Sequence, residues 1–135
     1  MKKLTMAFAG ILISGLALAD DIRGVDEIIC AANQVQICIE NDTCYAATPA
    51  ELDVPNFVVI NTKKKTIATT EASDLNRSTT FTSVVKDSGL IYLQGIEGRR
   101  AFSFVIDEAT GLMTVAVSRD GLAVSVFGAC TDTDM

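Results

Sequence analysis

The fold is decided by residues 90–130, which read LIYLQGIEGRRAFSFVIDEATGLMTVAVSRDGLAVSVFGAC. Four runs within them, at 90–96, 100–107, 112–119 and 122–129, alternate apolar residues with small or polar ones. A period of two residues is typical of a β-strand that buries one face. The stretch therefore predicts a four-stranded antiparallel meander.

The turn between the last two runs sets the register of that hairpin. Asp120-Gly121 suits a type I′ turn, in which both central residues have positive φ. Counting back from this turn places Val117 opposite Val124.

The other two connections give matching expectations. A two-residue turn at Glu97-Gly98 places Leu93 opposite Phe102. A four-residue loop between the second and third runs places Phe104 opposite Val115 and aligns the large apolar residues. A five-residue loop would move one strand by one residue and send its apolar set to the wrong face.

This register gathers the larger apolar side chains of the meander on one face. Burial of such a side chain is worth roughly 1.5 to 3 kcal/mol before entropy is subtracted. We expect this face to be the core, made of Ile91, Leu93, Phe102, Phe104, Ile106, Met113, Val115, Val117, Leu122, Val124 and Val126.

The opposite face is small and polar except at one end. There Leu90, Tyr92, Val105 and Phe127 converge into what we call the outer cluster. The favoured interpretation is that another segment of the chain packs over it, and the alternative is a binding surface for a partner.

Residues 1–19 have the pattern of a secretory signal peptide, with Lys2 and Lys3 before an apolar run and small residues before a cleavage point after Ala19. Cleavage leaves residues 20–135 as one domain and shifts the net charge from −6 to about −8, because both lysines leave. We expect a periplasmic or secreted protein with no membrane insertion after cleavage. The acidic balance disfavours nucleic acid as a partner. The sequence does not identify the partner, and an envelope or secreted protein is one candidate.

The four cysteines are Cys30, Cys38, Cys44 and Cys130. An even number in a small exported domain indicates two disulfides, and their spacing matches no common zinc site. A three-residue loop after residue 39 would set Cys38 across from Cys44, so we favour Cys38 with Cys44 and Cys30 with Cys130. Three connectivities remain open on sequence alone.

The remaining strand patterns predict a mainly β fold, an antiparallel meander or small barrel of about seven to nine strands. The spacing of Val25, Ile28, Ile29 and Ala32 also fits a short N-terminal helix. A disulfide between Cys30 and Cys130 would draw this N-terminal segment toward Phe127, where the segment would cover the outer cluster.

No residue pattern indicates catalysis. The chain has no histidine, the cysteines are expected to be paired, and no serine lies in a nucleophile-elbow pattern. Asp107-Glu108 lies in a predicted turn, where acidic residues are common. We therefore predict a non-enzymatic protein with a structural or binding role and without metal or cofactor. Arg99-Arg100 suits recognition of an anion, although a solvated hairpin end is the favoured role.

Several motifs resemble a known group of proteins. They are LQG at 93–95, FSFVIDEATG at 102–111, FGACT at 127–131, and the early cysteine spacing followed by Pro55 and Phe57. The chain resembles, over most of residues 20–135, small exported proteobacterial proteins of unknown function. The resemblance implies a periplasmic, disulfide-bonded β-domain and supplies no activity.

A second motif, SGLIY at 88–92, is similar to the Ser-Gly-x-x-Tyr element of the binding loop in periplasmic inhibitors of C-type lysozyme. Those inhibitors are small disulfide-bonded antiparallel barrels. The chain departs from them in having no tryptophan and no lysine shortly after Tyr92. The resemblance implies an alternative function, inhibition of a cationic enzyme such as lysozyme.

Overall fold

The computed structural model describes residues 20–52 and 55–134, so the predicted signal peptide lies outside the described residues. Short 3-10 helices occupy Pro49–Leu52 and Glu71–Ser73. The strands are β1 (Glu27–Ile39), β2 (Cys44–Ala47), β3 (Phe57–Asn61), β4 (Thr66–Thr69), β5 (Ser78–Thr80), β6 (Ser83–Asp87), β7 (Leu90–Glu97), β8 (Arg100–Asp107), β9 (Leu112–Arg119) and β10 (Leu122–Asp132).

Nine of these strands form one antiparallel sheet in the order β5-β4-β3-β1-β10-β9-β8-β7-β6, which curls into a half-barrel. The tenth, β2, pairs with the second half of β1, beyond the part that pairs with β3. The predicted fold class is therefore confirmed, with the meander forming β7 to β10. Within the described residues, no helix is long and apolar enough to cross a membrane.

The long strand β1 replaces the short helix that we expected near residues 25–32. A bulge between Ala32 and Gln34 shifts the register of β1 against β10. Before the bulge, Ile28 and Cys30 face the core, and after it Val35 and Ile37 do. The residues that suggested a helix all precede this bulge: Val25 lies ahead of β1, and the adjacent Ile28 and Ile29 take opposite faces of the strand.

The register of the meander is as predicted at two of its three connections. Val117 faces Val124, and Phe104 faces Val115. The Asp120-Gly121 turn has a positive φ only at Gly121, at 73°, so it is not the expected type I′ turn although the pairing around it is unchanged.

The predicted register of the β7–β8 hairpin is wrong by two residues. Leu93 faces Phe104 rather than Phe102. The central turn residues are Gly98 and Arg99, with φ of 55° and 66°, instead of Glu97 and Gly98. A type I′ turn needs positive φ at both central positions, and here glycine takes the first of them. Since the shift is two residues, every side chain stays on its predicted face.

Both disulfides join the predicted partners, Cys30 with Cys130 and Cys38 with Cys44. Each pair is also a directly opposed pair of the sheet, between β1 and β10 and between β1 and β2. The zinc alternative fails because none of the four thiols is free.

The concave face of the half-barrel holds the core, and all the predicted core residues of the meander are buried there or packed against it. Phe81 adds an aromatic contact, with its ring centroid 5.8 Å from that of Phe102 and 5.9 Å from that of Phe104. The first described residues close one end of this core. Ile22 is 1 % exposed, and its N–H donates to the carbonyl of Glu108 at 2.8 Å.

The chain between β5 and β6 links the two edges of the sheet. Because β5 pairs with β4 and β6 pairs with β7, these consecutive strands belong to opposite edges. The N–H of Phe81 donates to the carbonyl of Lys65 at 2.8 Å, and the N–H of Thr82 donates to the carbonyl of Gln94 at 2.8 Å. Two adjacent residues thus attach to the two edges and hold the half-barrel in its curled form.

Candidate ligand-binding cavity

The concave face is incompletely filled and contains a cavity of about 220 Å³, which we call the barrel cavity. Its wall on the meander side comes from core residues such as Phe102, Val115 and Val124. On the other side it is lined by Val58 and Ile67 of β3 and β4. An apolar cavity of about 150 Å³ is large enough to bind benzene. The barrel cavity therefore has room for a somewhat larger apolar group.

The residues that line the meander side lie in cross-strand rows. In one row Gly95 faces Phe102, and Val117 faces both Phe102 and Val124. Gly95 lets the aromatic ring lie directly over the strand, since a Cβ there would lie 2.5 Å from Cζ of Phe102. The ring consequently lies close over the strand and leaves the space above it to the cavity.

The next row toward the hairpin turns is charged. Glu97 pairs with Arg100 across the β7–β8 hairpin, and Arg119 pairs with Leu122 across the β9–β10 hairpin. Two residues along a strand span about 6.8 Å, so this row lies one layer beyond Phe102. It forms the mouth of the barrel cavity, and Arg77 completes it from the β5 side.

The charges at the mouth are unequal in sign. Arg77, Arg100 and Arg119 line the cavity, whereas Glu97 is the one acidic residue among the described lining residues. Glu97 lies 3.9 Å from Arg77, measured from Oε1 to a guanidinium nitrogen. Other acidic side chains in this region, Glu40 and Asp120, do not line the cavity. The described lining residues thus carry more positive than negative charge, on a chain whose net charge is −6.

Arg100 has an incomplete set of hydrogen bonds. Its Nε is buried and has no hydrogen-bond partner within the described part of the chain. A buried polar group without a partner costs about 1 to 3 kcal/mol. Its neighbour in the row is Arg119, because Ala101 pairs with Ser118 in the adjacent position. Like charges side by side across a sheet are also destabilising.

Of the two adjacent arginines singled out in the sequence, the structure brings only Arg100 to the cavity. Arg99 occupies the turn and is exposed. The other predicted surface, the outer cluster, lies on the convex side of the sheet, where Tyr92 faces Val105. It is therefore separate from the cavity.

The outer cluster is exposed to solvent. Leu90 is half-buried, and the exposed fractions of Tyr92, Val105 and Phe127 are 38 %, 39 % and 45 %. Residues 20–26 do not cover it, contrary to our expectation, because they pack against the end of the core through Ile22.

The apolar surface around the outer cluster is wider than predicted. Val85 faces Tyr92 from β6 and is 48 % exposed. Leu112 of β9, next to Phe127 on β10, is also exposed. The sequence analysis did not assign either residue to the outer cluster. Val85 lies outside the meander, and Leu112 is the first residue of its strand.

Of the two acidic residues considered for catalysis, Asp107 uses its carboxylate in a structural role and Glu108 uses its backbone carbonyl. Oδ1 of Asp107 accepts hydrogen bonds from the N–H groups of Ala109 and Thr110, at 2.9 and 3.2 Å. The backbone carbonyl of Glu108 accepts a hydrogen bond from the N–H of Ile22. Among the residues that the structure describes, no group of three or more acidic or cysteine side chains is arranged to hold a metal ion.

The SGLIY element forms a tight hairpin. Ser88 and Gly89 have φ of 51° and 81° and make the turn between β6 and β7. Ile91 is buried in the core, while Tyr92 points to the convex side. The motif is therefore part of the sheet, as the predicted strand at 90–96 implied.

Sequence reasoning assigned the concave face entirely to the core and so missed the barrel cavity. A signal was present in the alternation itself. Arg100 continues the inward-facing positions of Phe102 and Phe104, and Arg119 continues those of Val115 and Val117. Two cations in phase with the core residues indicate a site at the end of the core.

No protein-family model, curated protein or solved structure matches the chain. Its function must therefore be inferred from the geometry of the described residues.

Proposed function

We infer that this chain is an exported, non-enzymatic binding protein that takes a small apolar ligand into the barrel cavity. The observation that carries this proposal is an apolar cavity of about 220 Å³ inside the curled sheet, with a polar mouth. Ligand sites are commonly apolar clefts with a few polar groups that orient the ligand, and barrel mouths are a frequent location. The cavity is smaller than most drug-sized sites, which favours a slender ligand.

Export is the second part of the proposal. The two disulfides are consistent with an oxidising compartment. The pattern of residues 1–19 and the resemblance to exported proteobacterial proteins favour the periplasm. Asp20, the first residue after the proposed cleavage point, accepts a hydrogen bond from the hydroxyl of Thr131. Mass spectrometry of protein from the periplasmic fraction should give a chain that begins at Asp20.

Binding is tested with the neutral fluorescent probe N-phenyl-1-naphthylamine, whose emission rises in apolar surroundings. The mature protein should enhance its fluorescence saturably. Val117→Phe adds a ring to the cavity wall and should abolish the enhancement. Ser118→Phe adds the same ring to the outward face and serves as the matched control. An unchanged response in the Val117 variant, or no response in the wild type, would contradict the proposal.

A second candidate function places a partner protein on the outer cluster. It is supported by the exposure of Tyr92, Val105 and Phe127 together, because large contiguous apolar patches are uncommon on monomeric proteins. A pull-down from periplasmic extract should then recover a partner with the wild type. The double variant Tyr92→Ala and Phe127→Ala should fail to recover it, while Val117→Phe should still do so.

Inhibition of a cationic enzyme such as lysozyme is the remaining alternative. The acidic net charge and the SGLIY element favour it. The tight turn at Ser88 and Gly89 argues against a long loop that could enter an active site. A turbidity assay in which the purified protein leaves lysozyme activity unchanged would eliminate this alternative.

A further inference from the structure

We propose that the ligand of the barrel cavity is an amphipathic anion, an aliphatic chain with one negatively charged head group held by Arg100 and Arg119. The inference rests on the proposed function, since it concerns the same cavity. Fatty acids and alkyl phosphates share this chemistry, and the experiment below distinguishes them.

The layered arrangement of the lining residues specifies two chemically different parts in one ligand. The inner layers are apolar, formed by residues such as Phe102, Val115 and Val124, and offer contacts only to an apolar chain. The charged row begins about 6.8 Å further along the strands. A molecule that fills the apolar layers and reaches the mouth therefore ends beside Arg100 and Arg119. A wholly apolar ligand of that length would place hydrocarbon against these guanidinium groups.

The sign of the head group follows from the hydrogen-bond inventory of the mouth. A guanidinium group has donors and no acceptor, and its fork geometry fits carboxylate or phosphate. Nε of Arg100 is a buried donor without a partner in the described chain. An anion between Arg100 and Arg119 would accept from this donor and separate the two positive charges. Glu97 lies across the hairpin from Arg100, but its carboxylate forms an ion pair with Arg77. It therefore does not neutralise both Arg100 and Arg119.

The nearest competing explanation is that the mouth is merely solvated. Arg119 is exposed, and so is Arg99 in the turn, so water can reach this end of the sheet. Solvation accounts for Arg119, but it does not account for a buried Nε on Arg100. The two explanations differ in whether the charge of the head group affects affinity, which is directly measurable.

The experiment compares three ligands of equal chain length as competitors of the fluorescent probe in the mature protein. Decanoate, 1-decanol and decyltrimethylammonium carry negative, neutral and positive heads. A charge-assisted hydrogen bond contributes about 1.5 to 3 kcal/mol, so decanoate should compete at least about tenfold more strongly than decanol. The cationic ligand should be the weakest. Decyl phosphate, used in parallel, tests whether phosphate replaces carboxylate.

Arginine variants locate the head group. Arg100→Gln should reduce the preference for decanoate over decanol to near unity, and Arg100→Lys should restore part of it. Arg99→Gln removes the same charge one residue away in the exposed turn and should leave the preference unchanged. If Arg100→Gln unfolds, as judged by circular dichroism, Arg119→Gln and the wild-type ligand comparison carry the test.

The outcomes separate this inference from the proposed function. Equal competition by decanoate and decanol would overturn the anionic head while leaving an apolar ligand in place. An equal loss of preference in the Arg99 and Arg100 variants would overturn the assignment to Arg100 and indicate a general effect of charge. Failure of the probe to bind wild-type protein would overturn both proposals.

Discussion

Removal of the two disulfides, one at a time, should show that they stabilise the protein by different amounts. Cys30 and Cys130 are separated by 100 residues, and Cys38 and Cys44 by 6. In the chain-entropy model a cross-link stabilises the native state by restricting the unfolded chain, and the effect grows with the logarithm of the loop length. The model gives about 4.7 kcal/mol for the long loop and about 2.3 kcal/mol for the short one.

The burial of the cysteines also predicts a larger loss of stability when the Cys30–Cys130 bond is removed. Cys30 and Cys130 are 1 % and 2 % exposed, so their replacement by alanine also removes core contacts. Cys44 is exposed and Cys38 half-buried, so little packing is lost there. The difference between the two double variants should therefore be at least about 2.4 kcal/mol. A domain of this size has a total unfolding free energy of about 5 to 15 kcal/mol, so the loss of the long-range bond alone removes a large part of it.

The assay is urea unfolding at 25 °C, followed by circular dichroism, of the two double variants, Cys30→Ala with Cys130→Ala and Cys38→Ala with Cys44→Ala. The first should unfold at much lower urea or have no native baseline, and the second should keep a complete transition. The reasoning is refuted if the Cys38–Cys44 variant loses as much free energy as the other. Equal losses would mean that local strain relief, rather than loop closure, determines the effect of these bonds.

Three further results are expected. Gly128→Ala should destabilise the fold by about 1 to 3 kcal/mol or more in urea unfolding, because the new Cβ would lie 2.1 Å from the carbonyl oxygen of Ala31; a wild-type midpoint would contradict the close approach. Phe81→Ala should cost about 3 to 5 kcal/mol, because it removes a buried ring that contacts two others. A calorimetric loss below about 1 kcal/mol, closer to that of a surface substitution, would contradict this expectation. Arg23→Ala should raise the pKa of Asp21 from about 2 toward 3.8 in an NMR titration, because hydrogen bonds from Arg23 hold it low. Since a lowered pKa stabilises the fold above 3.8 and the effect is lost as pH falls through about 2, this variant should match wild type most closely in strong acid.

The parts of the fold that could be predicted from sequence are those fixed by local rules. Strand alternation determines which face each residue takes, and short turns determine which residues pair. This was sufficient for the meander core and for the pairing of Cys38 with Cys44. Even the wrong turn at Glu97-Gly98 preserved the faces, because an error of two residues leaves the alternation in phase.

Other features could not be predicted because they depend on irregularity or on distant segments. The bulge after Ala32 breaks the alternation of β1, and before it apolar residues on both faces of the strand give a spacing that also fits a helix. The barrel cavity requires β3, β4 and β5 to curl around the meander, and no local pattern specifies how closely they approach. Arg100 and Arg119 were visible in the sequence as inward-facing positions. That they line a cavity could not be predicted, because the sequence does not show that the core beside them is incompletely filled.

The barrel cavity and the Cys30–Cys130 bond contribute to stability with opposite signs. Unfilled apolar volume costs about 24 cal/mol per Å³ in a protein core, so 220 Å³ corresponds to about 5 kcal/mol as an upper limit, since the mouth is open to solvent. The Cys30–Cys130 bond, with Cys30 lining the cavity, stabilises the fold by a similar amount, about 4.7 kcal/mol. A small domain that fills its core has less need for such a bond. The two opposing contributions are thus of the same order, and the cross-link between β1 and β10 offsets the cost of the open cavity.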